Sequence, residues 1–230
     1  MNPKPGVLYG VGIGPGDPEL ITLKALRTIQ RCPVIAAPRT GGGQMLALEI
    51  ADSAADLTGK LILPLDFTMA ADPADREAAH EAAAAELRRH LDEGRDTALL
   101  TLGDVSLYAT FSAVARRLAS RGYETRMIPG VPSFCAAAAR LSIPLAEGRE
   151  PVHILPGGPP EAALALNGTK VLLKSGGGIA ALRQALAESE TPHTAGMVVR
   201  CGLPEERVIT DLAAAEAPDY FTTIILKEAH

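Results

Sequence analysis

The chain has 230 residues, 47% of them apolar, and a formal charge of −5 at pH 7. That length fits one large or two small domains with a sizeable core, and the acidic balance excludes a general nucleic-acid binder, which needs a dominant basic face. Three widely spaced cysteines, Cys32, Cys135 and Cys201, exclude a disulfide framework and a C-x-x-C pair, and no apolar run is long enough for a membrane span, so the expectation is a soluble cytoplasmic protein with no leader in Met1-Asn2-Pro3-Lys4-Pro5-Gly6.

Residues 7–11 read as a buried strand, followed by the glycine run Gly10-Val11-Gly12-Ile13-Gly14-Pro15-Gly16-Asp17-Pro18. Leu20, Leu23, Leu26 and Ile29 then recur at helical spacing, with Asp17 and Pro18 suited to the helix start and Thr22 as a competing cap. Pro33 ends that helix, residues 34–37 form a second strand, and a Gly41-Gly42-Gly43 turn leads into a helix through Met45, Leu48, Glu49 and Asp52. Residues 61–65 are a third strand. Asp66-Phe67-Thr68-Met69 then introduces a long Ala- and Glu-rich helix over 73–91, closed at Glu93-Gly94. Strand 97–101 runs into Leu102-Gly103-Asp104-Val105-Ser106-Leu107-Tyr108, a helix spans about 109–120, and strand 123–128 ends at Pro129-Gly130-Val131-Pro132-Ser133. This strand–helix rhythm predicts a parallel sheet with flanking helices, in which ligands bind beyond the carboxyl ends of the strands.

The composition shifts near here, giving an α/β protein of two domains, 1–125 and 126–230. Beyond a small Ala-rich helix to Leu141, strands are expected at 152–155, 170–174, 195–200, 207–210 and 221–227, with helices near 161–166 and 179–187. The closing strands leave no room for crossover helices, so the second sheet is expected to be mixed, with the active-site cleft between the two domains.

The glycine run fails as a dinucleotide loop: counting from Gly12 puts Asp17 at the third glycine position, where a carboxylate opposes a pyrophosphate, and no Gly-Lys-Ser/Thr follows. A tight turn and a site for a ligand other than phosphate both stay open. The five histidines show no ligand spacing, so no metal is expected, and no serine has a nucleophile elbow around it. Asp17 and Asp104 each follow a glycine at a strand end, where they can cap a helix or meet a ligand. The Arg pairs at 88–89 and 116–117 read as solvated helix faces; Arg31 and Arg39, nearer strand ends, are better placed for carboxylate contacts. Gly176-Gly177-Gly178 reads as a flexible strand-to-helix turn.

Taken together, residues 10–25, 102–108 and 129–133 resemble the tetrapyrrole methylase family in motif, order and spacing, and the resemblance continues through 170–176 and 200–208. Within it, residues 142–150 running on to 153–157 resemble the branch that methylates carbon 20 of precorrin-2 in cobalamin biosynthesis. The resemblance implies S-adenosylmethionine as methyl donor, a tetrapyrrole substrate and a homodimer, for which the Ala-rich surface of 73–91 is a compatible interface. It places the cofactor mainly on main-chain groups of Gly103, Asp104, Val105, Ser133, Phe134, Lys174 and Gly202, with Pro15 and Tyr108 in reach. Asp104 is expected to orient the cofactor's polar end and Tyr108 to lie near the methyl or the ring; Gly14, Asp17 and Arg39 fall on the macrocycle side, where bare glycines leave room for a flat ligand. Three positions depart from the family: Val105 stands for its proline, Leu203 for its threonine, and Lys174 where relatives often carry a hydrophobic residue such as Met.

Overall fold

Continuous apolar runs bounded by glycine and proline build the first half of the chain. In the computed structural model, which describes residues 4–40, 42–67, 72–212, 215 and 219–228, strands β1 (Leu8–Gly12), β2 (Val34–Arg39), β3 (Leu61–Asp66), β4 (Thr97–Thr101) and β5 (Thr125–Ile128) form one sheet in the order β3-β2-β4-β1-β5. Every pairing in it is parallel. β1 is buried along its whole length and lies between β4 and β5, as an apolar strand covered on both faces must. The readings above on Met1, Asn2, Pro3, Gly41, Thr68, Met69 and His230 fall outside the described residues.

Helices α1 (Leu23–Arg31), α2 (Leu46–Ala54), α3 (Pro73–Asp92) and α4 (Phe111–Ala119) connect these strands. The two competing caps before α1 both act. Asp17 caps a single 3-10 turn, Pro18–Leu20, by accepting from Glu19 N, while Thr22 Oγ1 accepts from Ala25 N at 3.1 Å and starts α1. Starting there sets the phase: Ala25, Thr28 and Ile29 are buried, and Leu23, expected on the apolar face, is 68% exposed. α3 is capped by Asp72 ahead of Pro73 and buries Ala83, Ala84, Leu87 and Leu91 against Phe111, Val114 and Leu118. Arg117, expected on a solvated face, instead has a side chain only 15% exposed, paired with Glu77 and Glu81 of α3.

The chain divides into two compact units, Met1–Val131 and Pro132–His230. The second holds α5 (Ser133–Leu141) and strands β6 (Val152–Leu155), β7 (Thr169–Leu173), β8 (His193–Val199), β9 (Arg207–Ile209) and β10 (Thr222–Glu228), ordered β6-β7-β10-β8-β9. Only β6 and β7 pair in parallel, across the short helix α6 (Pro160–Leu164); the rest are antiparallel, the mixed sheet expected from the short connections. Its core joins Leu172, Met197, Val199, Ile224 and Leu226 to Ala163 of α6 and to Ile179 and Leu182 of α7 (Ile179–Glu188). At the far end of β7 from the loops described next, fully buried Lys170 donates to Glu228 at 2.9 Å. Among the described residues no helix is long and apolar enough to cross a membrane.

Candidate active site

In the first unit the loops after β1, β4 and β5 are fastened to one another by main chain. Gly103 N donates to Gly14 O at 2.7 Å and Gly14 N to Gly103 O at 3.3 Å, an isolated antiparallel bridge just beyond the parallel β1–β4 pairing. A Cβ on Gly12 would lie 2.6 Å from Gly130 N, one on Gly130 would lie 2.3 Å from Gly103 O, and one on Gly10 would meet the Phe111 ring at 2.5 Å. Gly10 and Gly12 are therefore required by packing inside the unit, which corrects the expectation that the whole run is bared for a flat ligand. Gly14, at φ +80°, is the member of the run that needs glycine's left-handed freedom. Pro15 and Gly16 are buried, and Asp17 stands partly exposed at the cap of the 3-10 turn.

Asp104 ties these loops together. Its Oδ2 accepts from Gly130 N at 2.9 Å, and its Oδ1 accepts from Ser106 N at 2.8 Å and from the Ser106 hydroxyl. Burial alone raises the Asp104 pKa, but the donors of Ser106, Gly130 and Val105 outweigh it and hold the carboxyl below its ordinary value. With its lone pairs engaged by its own chain, the carboxylate orients loops; the direct side-chain contact to a ligand expected above would have to displace one of these donors. Val105 beside it is 1% exposed. Tyr108 closes the loop at φ 48°, an uncommon conformation for a bulky residue, with its side chain 49% exposed.

The second unit repeats this pattern at its strand ends. Lys174 follows β7 at φ 56° and Arg200 follows β8 at φ 54°, each donating its N–H across to the start of β10, Lys174 to Thr222 O in the strand and Arg200 to Phe221 O just before it. Gly202, at φ +74°, donates to Glu206 Oε2 at 2.5 Å, and Arg140 pairs with the same carboxylate. Ser133 Oγ, at the start of α5, accepts from Thr223 Oγ1 at 3.3 Å, and Phe134 is 8% exposed. A cavity of about 410 Å³ opens beside β7, with Lys174 in its wall.

Within the first unit the structure thus gathers Gly14, Gly103, Asp104 and Val105 with Gly130, and within the second it sets Lys174 and Gly202 beyond the ends of β7 and β8, the two strands that flank β10. Arg39, at the end of β2, is held in a two-point pair with Asp66, Nε to Oδ1 at 2.8 Å and Nη2 to Oδ2 at 2.6 Å. Sequence reasoning missed Gly130 and Arg200 as site-building residues, although both lie in stretches singled out by resemblance. Among the described residues no group of three or more His, Cys, Asp or Glu is arranged to hold a metal ion.

Residues 7–216 match the family model described as Tetrapyrrole (Corrin/Porphyrin) Methylases. The chain belongs to this family. Among the methylase's relatives, the cobalt-precorrin-2 C(20)-methyltransferase of Salmonella typhimurium is 32% identical, covering 97% of this chain and 97% of the relative. The probable cobalt-precorrin-2 C(20)-methyltransferase of Methanocaldococcus jannaschii is 34% identical over 99% and 98%, and the precorrin-2 C(20)-methyltransferase of a Sinorhizobium species 31% identical over 96% and 95%. Among solved structures, a cobalt precorrin-4 methyltransferase superposes with a TM-score of 0.75 at 19% identity, covering 96% of this chain and 94% of that one. The uroporphyrin-III C-methyltransferase of Thermus thermophilus, solved in complex with S-adenosyl homocysteine, gives 0.70 at 20% identity over 96% and 97%. The methylase therefore shares the two-domain α/β fold of these enzymes.

Proposed function

We propose that this methylase transfers a methyl group from S-adenosylmethionine to carbon 20 of precorrin-2, metal-free or carrying cobalt, in cobalamin biosynthesis. The observation that carries this reading is similarity over nearly the full length of both chains to enzymes named for that reaction. The family and the Thermus thermophilus neighbour complexed with S-adenosyl homocysteine support this choice of methyl donor.

The loops fit a ligand gripped by main chain. Lys174 and Arg200, directly after β7 and β8, and Tyr108, at the end of the loop after β4, hold left-handed conformations, and such strain, of order 1–3 kcal/mol per residue, gathers where a binding surface needs a particular backbone path. We assign cofactor contacts to Pro15, Tyr108 and the main chain of Gly103, Asp104 and Val105 in the first unit and to the main chain of Ser133, Phe134, Lys174 and Gly202 in the second, and macrocycle contacts to Gly14, Asp17 and Arg39. Asp104 acts as a positioning residue, fixing the β4 and β5 loops through Ser106 and Gly130. Tyr108 offers an exposed aromatic face for a cationic group. When bound, the cofactor supplies a methyl on a positively charged sulfur, already activated for displacement, so no covalent nucleophile is demanded of the protein. The chain's part is to orient and to keep the site dry, which buried Val105, Phe134 and Leu203 serve.

Incubation with isotopically labelled S-adenosylmethionine and a panel of metal-free and cobalt-loaded precursors, followed by NMR location of the label, tests the assignment. Label at carbon 20 is expected; label on another ring carbon, or on none, overturns it. The same reading gives a cytoplasmic homodimer, for which light scattering at micromolar concentration should return about twice the 24.0 kDa chain mass.

A further inference from the structure

The cavity beside β7 is walled by the loop carrying Gly157 and Gly158 and by Ser175, Gly177 and Gly178, over a floor that includes Ala163 and Leu182. Its volume of about 410 Å³ lies within the range of small-molecule sites, about 300–1,000 Å³. Lys174 is the one ionisable side chain in its lining, and among the described residues it is paired with no carboxylate; its ammonium rests 5.3 Å from the Tyr220 ring centroid. The wall therefore carries positive charge that nothing in the lining neutralises.

The glycines add an independent observation. A Cβ on Gly10, Gly12 or Gly130 collides with the chain itself, whereas one on Gly177 or Gly178 meets nothing within 4 Å, and neither residue has a positive φ. Neither packing nor backbone conformation inside the unit demands glycine at these two positions. Both leave bare, exposed main chain in the cavity wall, open to close approach by a ligand.

We propose that this cavity receives one carboxylate-bearing edge of the macrocycle, with the Lys174 ammonium on a carboxylate and the Gly177–Gly178 backbone against the ring. The inference rests on the tetrapyrrole reading above. Charge selects between the two reactants: the methyl donor bears a sulfonium and an ammonium against one carboxylate and is net positive, so a lone lysine repels it overall, whereas a tetrapyrrole with acetate and propionate arms is a polyanion. The apolar floor accepts the ring edge while the cation accepts the arm.

The test is absorbance titration of the full-length protein with uroporphyrin III, beside calorimetric titration with S-adenosyl homocysteine. Lys174→Met is expected to raise the porphyrin Kd about tenfold and flatten its salt dependence, Lys174→Arg to recover most of the loss, and Gly178→Ala to raise the Kd while leaving thermal stability equal or higher, all with the S-adenosyl homocysteine Kd within twofold of the parent. Porphyrin affinity unchanged in both Lys174→Met and Gly178→Ala, or a loss confined to S-adenosyl homocysteine, overturns the proposal. Because binding is read without turnover, a wild-type protein that binds the porphyrin through Lys174 yet methylates nothing refutes the catalytic assignment and leaves this one standing.

Discussion

Removing the carboxylate of Asp104 should loosen both loops that it fastens. In Asp104→Ala the partly buried Gly130 N–H loses its acceptor at 2.9 Å, and an unsatisfied donor of that kind costs about 1–3 kcal/mol. The Ser106 N–H, at 2.8 Å from Oδ1, faces water, so losing that turn costs less, about 0.5–1 kcal/mol. The total of about 1.5–4 kcal/mol corresponds to a fall in Tm of about 3–16 °C for a chain of this size. Asp104→Asn should recover less than half, because an amide that keeps one oxygen for Ser106 must turn its NH₂ toward the Gly130 N–H. The sign with pH is fixed by the lowered pKa. A carboxyl held below its unfolded value of 3.8 contributes stability that is fully present above that value and lost as pH falls through the folded one. Thermal unfolding of wild type and both variants should thus show a constant gap from about pH 7 to 5 that narrows toward pH 3. Affinity for S-adenosyl homocysteine by calorimetry should fall with the stability of the loops. A gap below about 0.5 kcal/mol, or one that does not change on acidification, would refute the clamp, since variation within that range is ordinary for surface substitutions.

Three further outcomes follow from the same geometry. Gly130→Ala places a Cβ 2.3 Å from Gly103 O, where backbone must move, so denaturant unfolding should show a loss of about 3 kcal/mol or more, or no native state; a loss under 1 kcal/mol would mean that the three loops are not packed as described. Thiol titration at pH 8 should count one accessible cysteine, Cys135, slowed because burial raises its thiol pKa, and three in guanidinium, because Cys201 is buried and burial first of all pushes the Cys32 thiol up to about 11. Acid should weaken the second unit. The hydrogen bond from Lys170 lowers the Glu228 pKa and that from Thr169 lowers the Glu150 pKa, so their stabilisation holds above the ordinary 4.5 and is lost as pH falls through the lowered values. Thermal melts of a Glu150→Gln/Glu228→Gln double variant should lose part of the wild-type decline between about pH 5 and 3; identical declines would reject the assignment.

What could be read from the chain and what could not divide along sequence distance. Strands such as β2 and β4 were legible because each is a short apolar run bounded by Pro, Gly or charge, and the sheet type followed from whether a helix fits between successive strands. The phase of α1 was not, because the spacing of Leu20, Leu23, Leu26 and Ile29 suits a helix beginning at Asp17, whereas the Thr22 cap starts it five residues later and turns Leu23 outward. The glycine run signalled close approach without naming the partner, since Phe111 and Gly130 arrive from remote parts of the chain. The same remoteness hid the saturation of Asp104: the Ser106 turn is local, but the Gly130 N–H comes from the end of β5. Arg117 was misread for a related reason, because a helical position reveals its solvent exposure only once the neighbouring helix, here α3, is in place.

The three departures from the family pattern sort themselves by where the side chains point. Val105, in place of the family's proline, is 1% exposed, and Leu203, in place of its threonine, is 7% exposed, so both changes are absorbed by the interior of their units. The surfaces they support are main chain: Gly103 bridged to Gly14 in one unit, Gly202 held by Glu206 in the other. A site read by main chain tolerates such exchanges, because only the path of the backbone must be kept. Lys174 is the exception, exposed and in the cavity wall, where a hydrophobic residue would leave that wall uncharged. An exchange that faces outward changes what a ligand meets. The outward departure, alone of the three, therefore changes the charge that a ligand at that wall would meet, and exchanging Lys174 for Met, unlike Val105→Pro or Leu203→Thr, should move ligand affinity more than stability.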